Sequence, residues 1–233
     1  MNWAWTNLDF SASARLRKHR LLTRILRALG FVSDLRWRRL GDVDPEIIAW
    51  DLSRGIPFPD QTFDVVYHAH FLEHLPREAA PVFLSECRRV LKPGAMLRVV
   101  VPDLELQATS YVRSLKAVEN GDPNAGIQHQ QAVHELFDYI VRTEITGTAE
   151  EQRGWRRWLE RKIRGDAADA GELHRWMYDR FSLSDLLESV GFRQVGQTSA
   201  IASRIPGWES FHLDAGEDGS EYRPESIYLE AES

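Results

Sequence analysis

The sequence predicts an α/β fold: a doubly wound, mostly parallel sheet with helices packed on it. The main observation is the stretch from Asp51 to Asp103, which reads as an acidic strand end, a Pro-rich turn, a buried strand, a helix, a Lys-Pro-Gly stop and a second buried strand. Alternation of strand and helix at this pitch is typical of parallel sheets. The second strand, residues 95–101, is an apolar run broken only by Arg98, as expected for a strand covered on both faces.

Six short segments have the composition of strands. The first two end at acids, Asp9 and Asp51, which is informative because ligands of such sheets bind at the carboxyl ends of the strands. The predicted strands are residues 5–10, 47–50, 63–69, 95–101, 192–199 and 226–231.

Helices are predicted between these strands. Residues 14–29 form a basic amphipathic pattern with one apolar face, and Gly30 suits its end. A second helix begins near Pro76, where a missing N–H does no harm, and Lys92-Pro93-Gly94 ends it. Ser182 and Asp185 are the expected caps of a late helix.

Residues 105–180 do not follow the strand–helix alternation. Apolar residues recur at helical spacing over residues 104–118 and 133–141, and Thr148 with Glu151 has the pattern of a capping box. This segment is too long for a simple crossover. We therefore predict a helical insertion, acting as a lid, within a single domain that spans residues 1–233.

The bulk composition restricts the class of protein. The chain has 233 residues, of which 43% are hydrophobic, and its one cysteine, Cys87, excludes an intramolecular disulfide. No apolar run approaches the roughly 20 residues of a spanning helix, and the first residues lack the pattern of a signal peptide. We therefore expect a cytoplasmic protein.

Charge is unevenly distributed. The net charge is −6, yet residues 1–39 hold nine of the 29 Lys and Arg side chains. The basic helix 14–29 is interpreted first as a solvated face, second as a peripheral membrane contact, and third as a nucleic-acid contact. The acidic remainder argues against a nucleic-acid partner.

A series of short motifs follows in order along the chain: Asn7-Leu8-Asp9, Asp51-Leu52, Ile56-Pro57-Phe58-Pro59-Asp60, Phe63-Asp64-Val65-Val66, Leu72-Glu73-His74-Leu75, Arg89-Val90-Leu91-Lys92-Pro93-Gly94, Val101-Pro102-Asp103, and Ser182 to Leu187 followed by Gly191-Phe192. Together these motifs resemble the class I S-adenosylmethionine-dependent methyltransferases of the type 11-like, small-molecule branch. In addition, His174-Arg-Trp-Met-Tyr178 and the tail from Pro224 to Glu230 are similar to a subgroup often encoded near polysaccharide biosynthesis genes.

This resemblance implies a Rossmann-like methyltransferase fold with S-adenosylmethionine as cofactor. Asp9 would bind the ribose hydroxyls, Asp51 and Leu52 would frame the adenine, and His68 and Ala69 would lie beside the methionine end. The family's first strand and Gly-rich loop, expected before Trp5, are not in this sequence. A late start site or a truncated chain is one interpretation; a remnant that no longer binds the cofactor is the other.

Methyl transfer to a hydroxyl needs a base near neutral pKa, which histidine serves best. The candidate bases are His68, His70, His74 and His174. Of these we favour His70, which lies in the loop after the third strand, and His174, which lies in the insertion. No metal-ligand set is predicted, because His68 and His70 alone are a weak pair. We expect methyl transfer to a hydroxyl of a small-molecule or saccharide acceptor. The alternatives are a non-catalytic interaction module and, as a lesser one, a nucleic-acid methyltransferase. The sequence leaves open the acceptor, the attacking atom and the oligomeric state.

Overall fold

The structure is a computed structural model that describes residues 4–9, 24, 28, 46–140 and 174–233, with the side chains of 138–140 excepted. It divides into two compact units, Met1–Pro57 and Phe58–Ser233. The expectation of one domain over the whole chain stays a prediction. Element labels number the described elements in chain order.

The first unit contains a parallel pair of short strands. Strand β1 (Leu8–Asp9) lies beside β2 (Ile48–Ala49), with Leu8 opposite Ile48. The amide of Trp50 donates to the carbonyl of Asp9 at 3.2 Å, so the pairing continues one residue past β2. A short 3-10 helix, η1 (Leu52–Arg54), follows directly. Both predicted strands are thus confirmed. The polypeptide leaves each strand at the carboxyl edge of the pair.

The second unit is built on a four-stranded sheet. Its strands are in the order β3–β4–β6–β5. Strands β3 and β4 are parallel, and β6 is antiparallel to both of its neighbours, so β3, β4 and β5 all run the same way. The predicted α/β class with a mostly parallel sheet is confirmed. The bounds are β3 (Phe63–Ala69), β4 (Leu91–Pro102), β5 (Arg193–Thr198) and β6 (Ser226–Glu232).

Helix α1 (Ala80–Val90) is the crossover from β3 to β4. It has a Pro in its first turn and buries an apolar stripe on the sheet. Cys87 is fully buried in that stripe, where burial raises the pKa of its thiol, so it is a core residue as predicted. The other helices of this unit are η2 (Leu72–His74), α2 (Leu104–Glu119), α3 (Ala125–Ile140), α4 (Arg180–Ser189) and η3 (Trp208–Phe211).

Helices α2 and α3 confirm two of the helices predicted in the 105–180 insertion. Helix α2 begins where the Asp103 carboxylate accepts the amides of Glu105 and Leu106 at 2.9 and 3.2 Å. The predicted third helix, near 148–163, lies outside the described residues. So does most of the basic helix 14–29, of which Arg24 and Ala28 are described as helical and exposed.

Three predicted boundaries are wrong. Helix α1 begins at Ala80 rather than near Pro76. Strand β4 begins at Leu91 rather than Ala95, because Leu91 pairs with Phe63 before the register shifts at a bulge that contains Gly94, whose φ is +76°. Helix α4 is capped by Asp179 rather than Ser182. The Asp179 carboxylate accepts the Ser182 amide at 2.7 Å, and the Asp179 amide donates to the Ser182 hydroxyl at 3.1 Å.

Arg98 explains the interruption in the apolar run of β4. Its guanidinium is fully buried, and it donates to Asp214 at 2.8 Å and to Glu230 at 2.7 Å. The guanidinium also lies 4.4 Å from the centre of the Trp208 ring. A buried cation is thus neutralised by two carboxylates, which ties β4 to β6 and to the segment before it. Among the described helices, none has both the length and the apolar character needed to cross a membrane.

Candidate functional site

His70 lies immediately after β3, at the carboxyl end of that strand. Its amide donates to the carbonyl of Val100 at 2.9 Å, which extends the pairing with β4 by one residue. Its φ is +48°, in the left-handed region that non-glycine residues rarely adopt. Such strained backbone recurs at functional sites, where the surrounding structure holds it in place.

The imidazole of His70 lies between a hydroxyl and a carboxylate. Nε2 is 3.0 Å from the hydroxyl oxygen of Ser226, the first residue of β6. Nδ1 is 3.4 Å from Oε1 of Glu73. An imidazole that reaches a hydroxyl with one nitrogen and faces a carboxylate with the other has the arrangement of a general base.

Glu73 is the buried centre of the site. It lies in η2 and its side chain is 0% exposed. Among the described residues, no group makes a hydrogen bond of acceptable geometry to either carboxylate oxygen. Its backbone carbonyl accepts the amides of Arg175 at 2.7 Å and Trp176 at 3.2 Å. The backbone of Glu73 therefore fastens the 174–178 segment to the end of β3.

Two further histidines complete the site. Nε2 of His74 is 3.8 Å from Oε1 of Glu73, and the rings of His74 and His174 are 5.0 Å apart between centres. One ligand atom from each of Glu73, His74 and His174 can be chosen so that all lie within 4.8 Å of one another. We call His70, Glu73, His74 and His174 the His–Glu cluster.

Tyr178 lies next to the His–Glu cluster. It pairs with Asp103 in an isolated parallel bridge, and its phenol oxygen is buried without a hydrogen-bond partner among the described residues. Burial, and secondarily the charge of Glu73, raise the pKa of Tyr178 to about 12. The phenol is thus a neutral O–H group beside the buried carboxylate.

The structure brings together the two predicted catalytic histidines. His70 and His174 are far apart in sequence but lie in one cluster with Glu73 between them. Sequence reasoning missed Glu73 and Tyr178 as site residues. It also missed the group of possible metal ligands, because the only histidine pair considered for a metal was His68 and His70, which are close in sequence. The available signal was the spacing His-x-x-Glu-His at the end of β3.

His68 and Ala69, predicted to lie beside the methionine end of the cofactor, have packed side chains. The His68 ring lies against Phe83 and Phe71, with centres 5.2 and 6.3 Å apart. Burial lowers the pKa of His68 to about 4, against the opposing effect of Glu73. Ala69 packs on a small cluster around Val100. Any cofactor contact at these positions would come from the backbone, and their roles stay predictions.

Asp9, Asp51 and Leu52 lie in the first unit. Asp9 ends β1, and Asp51 comes two residues after β2, the neighbouring parallel strand. Oδ1 of Asp51 accepts the Ser53 amide at 3.0 Å and so caps η1, which begins with the half-buried Leu52. Carboxylates at the carboxyl edge of parallel strands suit the hydroxyl and amine donors of a nucleoside. These cofactor roles also stay predictions.

Comparison with known proteins finds sequence similarity to methyltransferases over part of the chain. Residues 32–99 match the family model described as methyltransferase domain. The probable methyltransferase ltbC of Aspergillus luteorubrus is 37% identical over 87 residues, which are 32% of this chain and 30% of that protein. Part of the chain, residues 32–99, is therefore similar to a methyltransferase domain. The chain spans under a third of the length of that fungal relative.

Solved structures of methyltransferases are similar to this chain at lower sequence identity. A SAM-dependent methyltransferase of Archaeoglobus fulgidus is 15% identical, with a TM-score of 0.37. The match covers 81% of this chain and 67% of the archaeal chain. A SAM-dependent methyltransferase of Aquifex aeolicus is also 15% identical, with a TM-score of 0.36. That match covers 84% of this chain and 61% of the Aquifex chain. The similarity to methyltransferases therefore rests on the sequence matches. The matched residues 32–99 include Asp51, His70, Glu73 and His74 but not Asp9 or His174.

Proposed function

We propose that this protein transfers a methyl group from S-adenosylmethionine to a hydroxyl of a small-molecule or saccharide acceptor. One observation carries the proposal. Within the segment that matches the methyltransferase family, the imidazole of His70 lies 3.0 Å from a hydroxyl oxygen and 3.4 Å from a buried carboxylate. An imidazole placed in this way can act as the general base that removes the proton of an acceptor hydroxyl.

The cofactor would be held by the residues that the resemblance indicates. Asp9 would accept the ribose hydroxyls, Asp51 and Leu52 would frame the adenine, and the backbone at His68 and Ala69 would face the methionine end. When bound, S-adenosylmethionine supplies a methyl group on a sulfonium sulfur, which keeps the electron pair of the carbon–sulfur bond as the methyl group leaves. The protein therefore needs to align the acceptor and remove its proton, with no covalent catalysis.

His70 is the proposed base. Its Nε2 accepts the proton that the acceptor hydroxyl loses as its oxygen gains the methyl carbon. The Ser226 hydroxyl at 3.0 Å supports this role, because it demonstrates that a hydroxyl oxygen can reach that nitrogen. Glu73 at 3.4 Å from Nδ1 would stabilise the imidazolium that results. His174 is the second candidate, in contact with the ring of His74.

A saccharide acceptor is supported by Trp176. This residue is 37% exposed, and it follows His174 by two positions in the segment that Glu73 anchors. The guanidinium of Arg77 lies over its ring at 4.4 Å from the centre. An exposed aromatic ring beside a charged donor suits stacking on a sugar ring with a hydrogen bond to its hydroxyls.

The test is transfer of the labelled methyl group from S-adenosylmethionine to the acceptor. The protein is incubated with methyl-labelled S-adenosylmethionine and a panel of mono- and oligosaccharides, each matched to the deoxy sugar that lacks one hydroxyl. We expect label in a saccharide product and none in its deoxy partner. His70→Gln should lower kcat by roughly 10²–10⁴-fold. His134→Ala, an exposed position on α3, is the matched control and should leave kcat unchanged.

Binding of the cofactor with no labelled product from any acceptor would contradict the proposal and favour the alternative, a non-catalytic interaction module. If His174→Ala abolished turnover while His70→Gln did not, His174 would replace His70 as the base.

A further inference from the structure

Glu73 presents a charge that its described surroundings do not compensate. Its side chain is fully buried, and neither carboxylate oxygen has a hydrogen bond from a described residue. Burial of an ionised carboxylate without a partner costs several kcal/mol, so such groups are found paired or bound to a cation. The nearest described cations or proton donors are the imidazoles of His70 and His74.

The distances fit shared coordination better than a direct ion pair. A carboxylate paired with an imidazolium is expected at about 2.7–2.9 Å. Nε2 of His74 lies instead 3.8 Å from Oε1 of Glu73. Two ligands of one tetrahedral ion, each at about 2.1 Å from the metal, are about 3.4 Å apart.

We propose that Glu73, His74 and His174 bind one divalent transition-metal ion. Ligand atoms of these three side chains lie within 4.8 Å of one another, and two of the three residues come from the end of β3 while the third comes from the 174–178 segment. Two imidazoles and one carboxylate favour Zn²⁺ or a similar first-row ion over Mg²⁺, which prefers oxygen ligands. His70 is not one of the proposed ligands, although its Nδ1 lies 3.4 Å from Oε1 of Glu73.

Three protein ligands leave at least one coordination position open. A water or hydroxyl bound there would have a lowered pKa, and the ion would also fix the position of that oxygen. If the proposed methyl transfer is correct, the open position would hold the acceptor hydroxyl; this consequence rests on the proposed function. The metal site itself does not, because it needs neither S-adenosylmethionine nor an acceptor.

The experiment is calorimetric titration of the metal-stripped 233-residue protein with ZnCl₂, followed by MgCl₂ in a separate run. We expect one Zn²⁺ per chain and no comparable binding of Mg²⁺. Glu73→Gln and His174→Ala should each weaken Zn²⁺ binding by at least about tenfold. His134→Ala is the matched control, since it removes an exposed imidazole outside the cluster and should bind Zn²⁺ as the wild type does.

Melting temperature gives a second measurement that does not depend on heats of binding. An ion that binds only the folded protein raises the melting temperature, so ZnCl₂ should raise that of the wild type and of His134→Ala but not that of Glu73→Gln. Glu73→Gln keeps the shape of the side chain, and far-ultraviolet circular dichroism checks that both cluster variants fold.

Either of two results would overturn the metal site: no Zn²⁺ binding by the wild type, or equal binding by the wild type, Glu73→Gln and His174→Ala. A metal-free protein that still methylates its acceptor would leave the proposed function standing. A protein that binds Zn²⁺ but not S-adenosylmethionine would leave the metal site standing, so the two failures are distinguishable.

Discussion

Oε1 of Glu73 lies 3.4 Å from Nδ1 of His70, on the side of the ring opposite the Ser226 hydroxyl. A carboxylate at this nitrogen favours the tautomer with hydrogen on Nδ1. In that tautomer Nε2 is an acceptor, and the Ser226 hydroxyl is the donor of the 3.0 Å contact. The buried carboxylate thus explains how one imidazole can be held ready to receive a proton from a hydroxyl.

The carboxylate of Glu73 is expected to lower the stability of the metal-free protein. Because its carboxylate is fully buried without a hydrogen bond from a described residue, Glu73→Gln is expected to raise the free energy of unfolding of the metal-free protein by about 1–3 kcal/mol. The same change should reduce methyl transfer. Urea unfolding together with the labelled-methyl assay checks both parts. A destabilised variant would mean that the carboxylate has stabilising contacts.

Glu230 is the matched comparison, since it is also a buried glutamate but is fully paired. It accepts hydrogen bonds from Arg98, from the Ser203 hydroxyl and from the Arg204 amide. Burial raises its pKa, but these three donors outweigh burial and hold the pKa below the usual value. Glu230→Gln should lower the free energy of unfolding by roughly 3–5 kcal/mol, because Arg98 loses a buried partner. A loss below about 1 kcal/mol in urea unfolding would contradict this.

His68 should make the fold sensitive to acid. Its pKa is about 4 in the folded protein, lowered by burial against the charge of Glu73, and 6.5 is the ordinary value. Between these values the unfolded chain binds the proton and the folded chain does not, so stability falls as pH drops through this window. His68→Phe should reduce the loss between pH 7.5 and pH 5 by about 2 kcal/mol. Urea unfolding at both pH values tests it, with His134→Ala as control; an unchanged loss would contradict it.

The N-cap of α4 predicts a smaller effect. Asp179→Ala removes the acceptor of the Ser182 amide and should lower the free energy of unfolding by about 1 kcal/mol. Asp185→Ala, a position inside the helix, is the control and should change stability by less than about 0.5 kcal/mol. Thermal unfolding of the two variants compares them. An effect at Asp185 larger than at Asp179 would show that the helix begins where the sequence suggested.

Much of the second unit was predictable because its signals are local. Strand β3, helix α1 and helices α2 and α3 follow from apolar periodicity and cap residues within each segment. The start of β4 was misplaced because Pro93 and Gly94 are turn residues by composition, whereas pairing of Leu91 with Phe63 keeps them within an irregular strand. Asp179 was missed because Ser182 is an equally good cap by type.

The His–Glu cluster was predictable only in part. His70 was identified from its place after β3, but its approach to Glu73 depends on a left-handed backbone at His70 and on the short helix η2. His174 reaches the cluster through two amides that bind the carbonyl of Glu73, a contact between residues about a hundred positions apart. Periodicity carries no information about contacts of this range, and the same holds for Arg98 with Asp214 and Glu230.

Calorimetric titration of this protein with S-adenosylmethionine tests the central claim most directly. The account predicts one cofactor per chain for the wild type. Asp9→Asn should bind at least about tenfold more weakly, because charge-assisted hydrogen bonds to the ribose hydroxyls are lost. Asp64→Asn, which removes only the exposed ion pair with Lys92, should bind as the wild type does. No detectable binding by the wild type, or equal binding by Asp9→Asn, would contradict the account.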